Sequence, residues 1–209
     1  MRPEKPVNQV NMQMTGVYTK NIGGTWFGVA CTEQRVFSTT FANSQQEALR
    51  KLLRSIRFTV PFQTHPEPTA FADTVLASVK NVYDGNNVSQ NVPLATEHLS
   101  AYTQKILAAT SLIPIGYVVS YGAIAKAAGG SPRSVGRVMA SNPFAPIVPC
   151  HRVVSSDCTL GGYGDGLKVK LELLVREKHG YTSSIEVPLG DGKLRVFPVE
   201  FVLRKLRSS

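Results

Sequence analysis

The run Val148-Pro149-Cys150-His151-Arg152-Val153-Val154 sets a thiol beside a proton acceptor and a guanidinium. The thiolate, not the thiol, is the nucleophile, and neighbours that are cationic or take up protons lower the pKa of a cysteine. A nucleophile also needs a base, and the base needs a group to orient it; Glu177, on a helical stretch further along, is a candidate for that third role. A quieter reading stands beside this one. Free cysteines are commonly buried structural residues, adjacent Cys and His side chains need not touch, and Glu177 between Arg176 and Lys178 also reads as a solvated helix charge. Cys31 and Cys158 read as structural or incidental. Three cysteines cannot all pair within one chain, and His65, His98 and His179 lack ligand spacing, so neither a metal nor another cofactor is expected.

Positioning these groups falls to the elements around them. Pro146-Ile147-Val148-Pro149 is a stiff, extended lead into Cys150, after Asn142-Pro143 has ended the preceding helix. That helix is capped by Ser131, carries Pro132 at its first position and runs to about Ser141. Together with an alanine-rich helix from Gly122 to Ala128 and the Gly129-Gly130 break, it has helix-turn-helix spacing. A helix from Thr96 to Ser111, with Leu99, Tyr102, Ile106 and Leu107 inward, precedes the break at Pro114-Ile115-Gly116. After the cysteine comes a glycine-rich loop, Gly161-Gly162-Tyr163-Gly164-Asp165-Gly166, and then a helix whose apolar side is Leu171, Leu174 and Val175. Ile185–Leu189 and Leu194–Phe201 flank Gly190-Asp191-Gly192 as a hairpin before the basic end Arg204-Lys205-Leu206-Arg207.

The first part of the chain is patterned differently. β-Branched and aromatic residues predict strands near 15–20, 25–31 and 34–41, an antiparallel meander. Ser44 and Glu47 form a capping-box pattern ahead of a helix carrying Ala48, Leu49, Leu52, Leu53 and Ile56. A second helix follows Pro68, with Phe71, Val75, Leu76, Val79 and Val82 on one side, and ends near Asp84-Gly85. The turn-rich segment Gly85–Asn91 marks a boundary. The expected organisation is α+β: residues 1–90 an α/β domain, 91–180 the domain that carries Cys150, and 181–209 a hairpin with a basic extension. Met1 to Asn21 is polar and proline-broken, and no apolar run approaches the ~20 residues of a membrane span, so a soluble intracellular protein is expected, in a compartment that keeps thiols reduced.

The formal net charge of +9 points to a polyanionic partner, although solubility alone would also account for it. The residues Ile113-Pro114-x-Gly116, Ser120-Tyr121-Gly122, Asn142-Pro143 and Pro149-Cys150-His151-Arg152-Val153, in that order, resemble the O6-alkylguanine-DNA alkyltransferase family. The resemblance covers about Thr96 to Lys178. It implies an RNase H-like small antiparallel sheet with helices in the first domain and a winged helix-turn-helix-like alkyltransferase domain in the second. It also implies direct-reversal repair, in which Cys150 takes the alkyl group from guanine O6, and from thymine O4 as a further substrate, in an irreversible single-turnover displacement.

By that resemblance His151 takes the thiol proton through a water, Glu177 orients His151, and Asn142 braces the cysteine turn. Tyr121 protonates the departing guanine and helps rotate the nucleotide out of the duplex, while Arg133 fills the vacated stack. Tyr121, Arg133, Ser134, Arg137 and Arg152 are the expected DNA contacts, made by a monomer through the minor groove of double-stranded DNA, in the cytoplasm or on the nucleoid, or in the nucleus of a eukaryote. Met139, Val153, Tyr163, Gly164 and Asp165 are the expected guanine pocket. Asp165 departs from the family pattern, where glycine or a large aromatic residue is usual, and is expected to narrow or charge the pocket mouth.

Overall fold

Three strands form where β-branched and aromatic residues concentrate: β1 (Thr15–Ile22), β2 (Thr25–Cys31) and β3 (Val36–Ala42). Gly23 and Gly24, with φ of 62° and 86°, turn β1 tightly into β2, a conformation that side chains with a Cβ resist. A short strand the sequence reading did not anticipate, β4 (Phe62–Thr64), pairs parallel to β1 and completes the sheet order β3-β2-β1-β4. The computed structural model describes residues 14–56, 61–87, 91–190 and 192–207. The reading of the polar start before residue 14, part of the boundary expected at 85–91, and Asp191 of the hairpin turn lie outside them.

Strand alternation gives this sheet two apolar faces. Val17 and Ala30 face Leu52 and Ile56, at and beyond the end of α1 (Gln45–Ser55). Tyr18, Phe27 and Val29 face Val75, Leu76 and Val79 of α2 (Ala70–Tyr83). Caps start both helices where the sequence signals them, because Ser44 Oγ accepts from the Glu47 N–H and Thr69 Oγ1 from the Ala72 N–H.

The second part is built on α3 (Ala101–Ser111), β5 (Tyr117–Ser120), α4 (Tyr121–Ala128) and α5 (Pro132–Ala140). A single 3-10 turn at Cys150–Arg152 follows, then β6 (Val153–Val154) and α6 (Leu167–Arg176). α3 begins at Ala101 rather than Thr96, since Ser100 supplies the cap by accepting from the Thr103 N–H. The second sheet runs β6-β5-β8-β7, with β7 (Ile185–Leu189) and β8 (Gly192–Pro198) forming the expected hairpin.

β8 pairs with β5, and its Leu194 and Val196 are buried with Ile106, Ile124 and Phe144. The strand expected to reach Phe201 ends at Pro198 and gives way to α7 (Val199–Arg207), whose Val199 and Val202 pack on Val118, Val154 and Leu174. Leu194, Val196, Val199 and Val202 thus belong to the core. The two sheets are tied by Thr39, whose N–H donates to Pro143 O and whose hydroxyl donates to Ala145 O, and by Leu173 of α6, which packs among Phe27, Val75 and Val79. No helix among the described residues is long and apolar enough to cross a membrane.

Candidate active site

The turn that presents Cys150 is held from behind. Asn142 Nδ2 donates to Val148 O at 2.9 Å, and its Oδ1 accepts from the Phe144 N–H at 3.0 Å. One side chain therefore fixes the whole approach from Asn142 to Pro149. The parallel register Val119↔Val153 and Ser120↔Val154 fixes β6, directly after the cysteine turn, against β5, which runs into Tyr121.

His151 and Glu177 are fully buried and meet at 2.7 Å through Nε2 and Oε1. Burial alone would push the Glu177 carboxyl up, but His151 and the Arg152 guanidinium hold it down to about 2. An ionised carboxylate can only accept, so His151 Nε2 carries the proton and Nδ1 keeps its lone pair. Nδ1 is buried and has no hydrogen-bond partner among the described residues. Burial also lowers the His151 pKa, although Glu177 opposes it, and the imidazole rests neutral with a basic nitrogen free.

Arg152, expected as a DNA contact, is turned inward. Its side chain is 9% exposed, its Nε and Nη2 grip Glu177 at 2.8–3.0 Å, and its Nη1 donates to Ile113 O at 2.7 Å. The motif arginine is a strut that joins the cysteine turn, the Ile113-Pro114 corner and Glu177. At that corner Gly116 has a φ of +77°, and a Cβ there would lie 2.8 Å from the Tyr181 ring and 3.2 Å from Glu177 O, which explains the glycine.

The adjacent cations do not lower the thiol pKa in the way the sequence suggests. Burial raises it, with Asp165 adding to the rise, while the Asn142 side chain and Lys170 pull it back. Lys170 is a group that sequence reasoning missed. It is fully buried on α6, and its ammonium donates to Val153 O and Leu160 O at 2.6 Å and to Gly162 O at 3.2 Å. Burial brings its pKa down to about 8. The only sequence signal was its spacing: 170, 173, 174 and 177 share one helix face.

Beside the cysteine lies a cavity of about 340 Å³, lined by Tyr121, Pro132, Gly136, Met139, Ala140, Cys150, Gly162, Tyr163 and Gly164. Tyr121 opens α4 and donates from its hydroxyl to Gly162 O at 3.1 Å. The Tyr163 hydroxyl is buried beside the Cys150 thiol, and burial and that thiol raise its pKa well above the usual tyrosine range. Met139, Tyr163 and Gly164 are thus where the pocket was expected. Val153 is not: its side chain is fully buried with Val119 and Phe144, and its carbonyl is taken by Lys170. Asp165 also lies outside this cavity, on a wider groove beyond it, paired with Lys51 at 2.6 Å.

Arg133 and Arg137, one turn apart, are both exposed on α5, next to Pro132 and Gly136 of the cavity wall. Ser134, expected as a DNA contact, caps its own helix in the free chain. Its hydroxyl accepts from the Ser131 N–H, donates to Ser131 O at 2.7 Å and meets Tyr102 Oη at 2.7 Å, so it completes the cap of α5.

Residues 101–179 match the model of the 6-O-methylguanine DNA methyltransferase DNA-binding domain. The chain is 35% identical over 117 residues to the methylated-DNA–protein-cysteine methyltransferase of Methanothermobacter thermautotrophicus, an alignment spanning 56% of this chain and 66% of that protein, just short of two thirds. It is 38% identical over 122 residues to the protein of that name from Mycobacterium leprae, covering 57% of this chain and 73% of the relative. The crystal structure of O6-methylguanine-DNA methyltransferase from Pyrococcus kodakaraensis superposes with a TM-score of 0.60 at 29% identity, over 78% of this chain and 99% of that one.

Proposed function

This chain belongs to the methylated-DNA–protein-cysteine methyltransferase family, and from that premise we propose that it repairs duplex DNA by taking the alkyl group of O6-alkylguanine onto Cys150. The observation that carries the proposal is the cysteine at the wall of a base-sized cavity, followed in the chain by a neutral imidazole whose other nitrogen is held by a buried carboxylate. A volume of about 340 Å³ is at the low end of small-molecule pockets and suits a single nucleobase.

In the reaction, the Cys150 thiol proton passes through a water to His151 Nδ1. The sulfur attacks the alkyl carbon in line, a C–S bond forms, and the C–O6 bond breaks. The guanine leaves with a proton from the Tyr121 hydroxyl, and the phenolate left behind is reprotonated from solvent as the imidazolium gives its proton up, so that the net proton moves from thiol to guanine. Glu177 stays ionised throughout and stabilises the imidazolium that forms. The product thioether has no leaving group that water could displace, so each chain acts once.

Guanine O6 is inaccessible inside a duplex, and the nucleotide must be rotated out at a cost of a few kcal/mol. The α4–α5 pair, with Tyr121 at one helix start and Arg133 at the other, serves that step: Arg133 enters the stack from the minor groove while Arg137 holds phosphate. We read this pair with the β7–β8 hairpin as a winged helix-turn-helix. The meander with a parallel fourth strand is read as RNase H-like. Residues 1–90, 91–180 and 181–209 remain our division of the chain, with the third segment packed into the second. A monomer suffices, because one chain carries all the named groups, and the three free thiols suit a reducing compartment such as the cytoplasm.

The test is to mix the chain with duplex DNA carrying radiolabelled O6-methylguanine. Label should reach the protein and stop at about one methyl per chain, with none on Cys150→Ala. Continued turnover would identify a thiol hydrolase instead, and binding without transfer would identify a lesion sensor or regulator.

A further inference from the structure

A groove of about 880 Å³ separates the end of α5 from α1. One wall carries Ala140 and Ser141, and the other carries Arg50, Lys51 and Arg54. These three cations are not equivalent. Lys51 is engaged within the protein: its ammonium meets Asp165 Oδ1 at 2.6 Å, donates to Phe41 O at 3.0 Å and lies 3.5 Å from Glu47 Oε1. The pair with Asp165 ties α1 to the loop beside Cys150 and so fixes where Arg50 and Arg54 stand. Those two, one turn apart, are exposed and make no hydrogen bond or ion pair among the described residues. Arg35, Arg152, Arg176 and Arg195 by contrast each hold a protein acceptor. Arg133 and Arg137 of α5 share the exposed, unpartnered state of Arg50 and Arg54. Of the carboxylates on the groove, Glu47 and Asp165 are held by Lys51, and Glu172 of α6 is exposed. An anion laid along this surface therefore meets two free guanidiniums for one free carboxylate.

We propose that Arg50 and Arg54 extend the DNA-binding surface onto α1, where they hold the phosphate backbone of the duplex a few base pairs from the lesion. The inference rests on the chain docking duplex DNA through α4 and α5. α5 runs from Arg133, beside the base cavity, through Arg137 to Ser141 on the groove wall. Those eight steps along a helix span about 12 Å, or roughly three to four base pairs of duplex axis. A duplex held by Arg133 and Arg137 continues past the end of α5, spans the groove and reaches α1. Guanidiniums present planar, paired donors that match phosphate oxygens, and each contact releases a counterion condensed on the DNA. The first sheet, through the helix that covers it, thus contributes to holding the substrate and not only to bracing the active-site loop.

The measurement is the salt dependence of binding to a duplex with one central O6-methylguanine, followed by fluorescence anisotropy in a Cys150→Ala background so that the lesion persists. Each phosphate contact contributes about 0.9 to the slope of log K against log salt, so Arg50→Gln with Arg54→Gln should lower the slope by about 1.8. Binding at about 0.1 M salt should weaken at least about tenfold. Arg50→Lys with Arg54→Lys keeps both charges and should keep the slope. Lys20→Gln removes a charge on the other face of the first sheet, where Lys20 pairs with Asp73 of α2, and should leave the slope unmoved. Trimming the duplex on one side of the lesion should abolish the difference between parent and glutamine pair, and trimming the other side should preserve it. An unchanged slope in the glutamine pair, the same loss per charge in Lys20→Gln, or a difference that survives trimming on both sides overturns the proposal. Both arginines are exposed, so their replacement leaves the fold intact, which an unchanged thermal midpoint verifies. A parent chain that does not bind the lesion duplex at all would instead overturn the repair function itself.

Discussion

Glu177 serves two partners at once, orienting the neutral His151 while neutralising a guanidinium that is itself almost wholly buried. Removing its charge should therefore cost more than a catalytic hydrogen bond. In Glu177→Gln the Arg152 guanidinium loses its countercharge inside the protein, and a destabilisation of about 3 kcal/mol or more is expected, read from the urea midpoint. The acid side gives a second signature. The carboxyl titrates at about 2 in the folded chain against an ordinary 4.5, so its contribution to stability is full above 4.5 and fades as pH falls from 4.5 toward 2. The wild type should weaken through that window, and Glu177→Gln should show a flatter profile there. The raised thiol pKa has a parallel meaning: Cys150 rests protonated and depends on the His151 lone pair, with the Lys170 ammonium as the cation that favours the thiolate.

At the scale of elements, α6 shows where sequence reading stops. The apolar side expected from Leu171, Leu174 and Val175 is only partly the buried one: Leu174 is fully buried and Leu171 packs beside it. Lys170, Leu173 and Leu174 turn inward with Glu177 beyond them, and Val175 is half exposed. A hydrophobic pattern cannot find a face whose first and last members are charged, because each charge is admitted only by partners distant in sequence: three carbonyls for Lys170, and His151 and Arg152 for Glu177. Strands β4, β5 and β6 were missed for a related reason, since segments of two to four residues become strands through their partners. The caps, the α4–α5 pair and the two hairpins were legible because their signals are local. So was the cysteine motif, whose arginine nevertheless proved structural. In α5, Gly136 lies mid-helix on the cavity wall, and an added Cβ would meet only the Tyr121 ring, at 4.0 Å. Gly136→Ala should stabilise the chain by up to about 1 kcal/mol through helix propensity yet slow alkyl transfer by taking up base space, a divergence visible by pairing thermal melts with transfer rates.

Across the whole molecule, the last segment joins the two roles that its charge and its packing suggest. The sequence marks this segment as a hairpin with a basic extension, but Leu194, Val196, Val199 and Val202 are all buried in the second part's core. Deleting residues 185–209 should therefore abolish cooperative unfolding, as followed by circular dichroism in urea, rather than merely weaken salt-sensitive DNA binding. A truncated chain that still melts sharply would restore the view of the segment as an appendage. The first sheet bears on function through the same long-range packing, since Thr39 and Lys51 reach across to the loops on either side of Cys150.

The most direct measurement is the intact mass of the chain after exposure to excess duplex DNA containing O6-methylguanine, followed by mapping of the modified peptide. The account requires a single added methyl group on the peptide containing Cys150, unchanged by longer incubation, with free guanine restored in the DNA. Repaired DNA in excess of protein with an unmodified Cys150, or a methyl group on Cys31 or Cys158 instead, would contradict it.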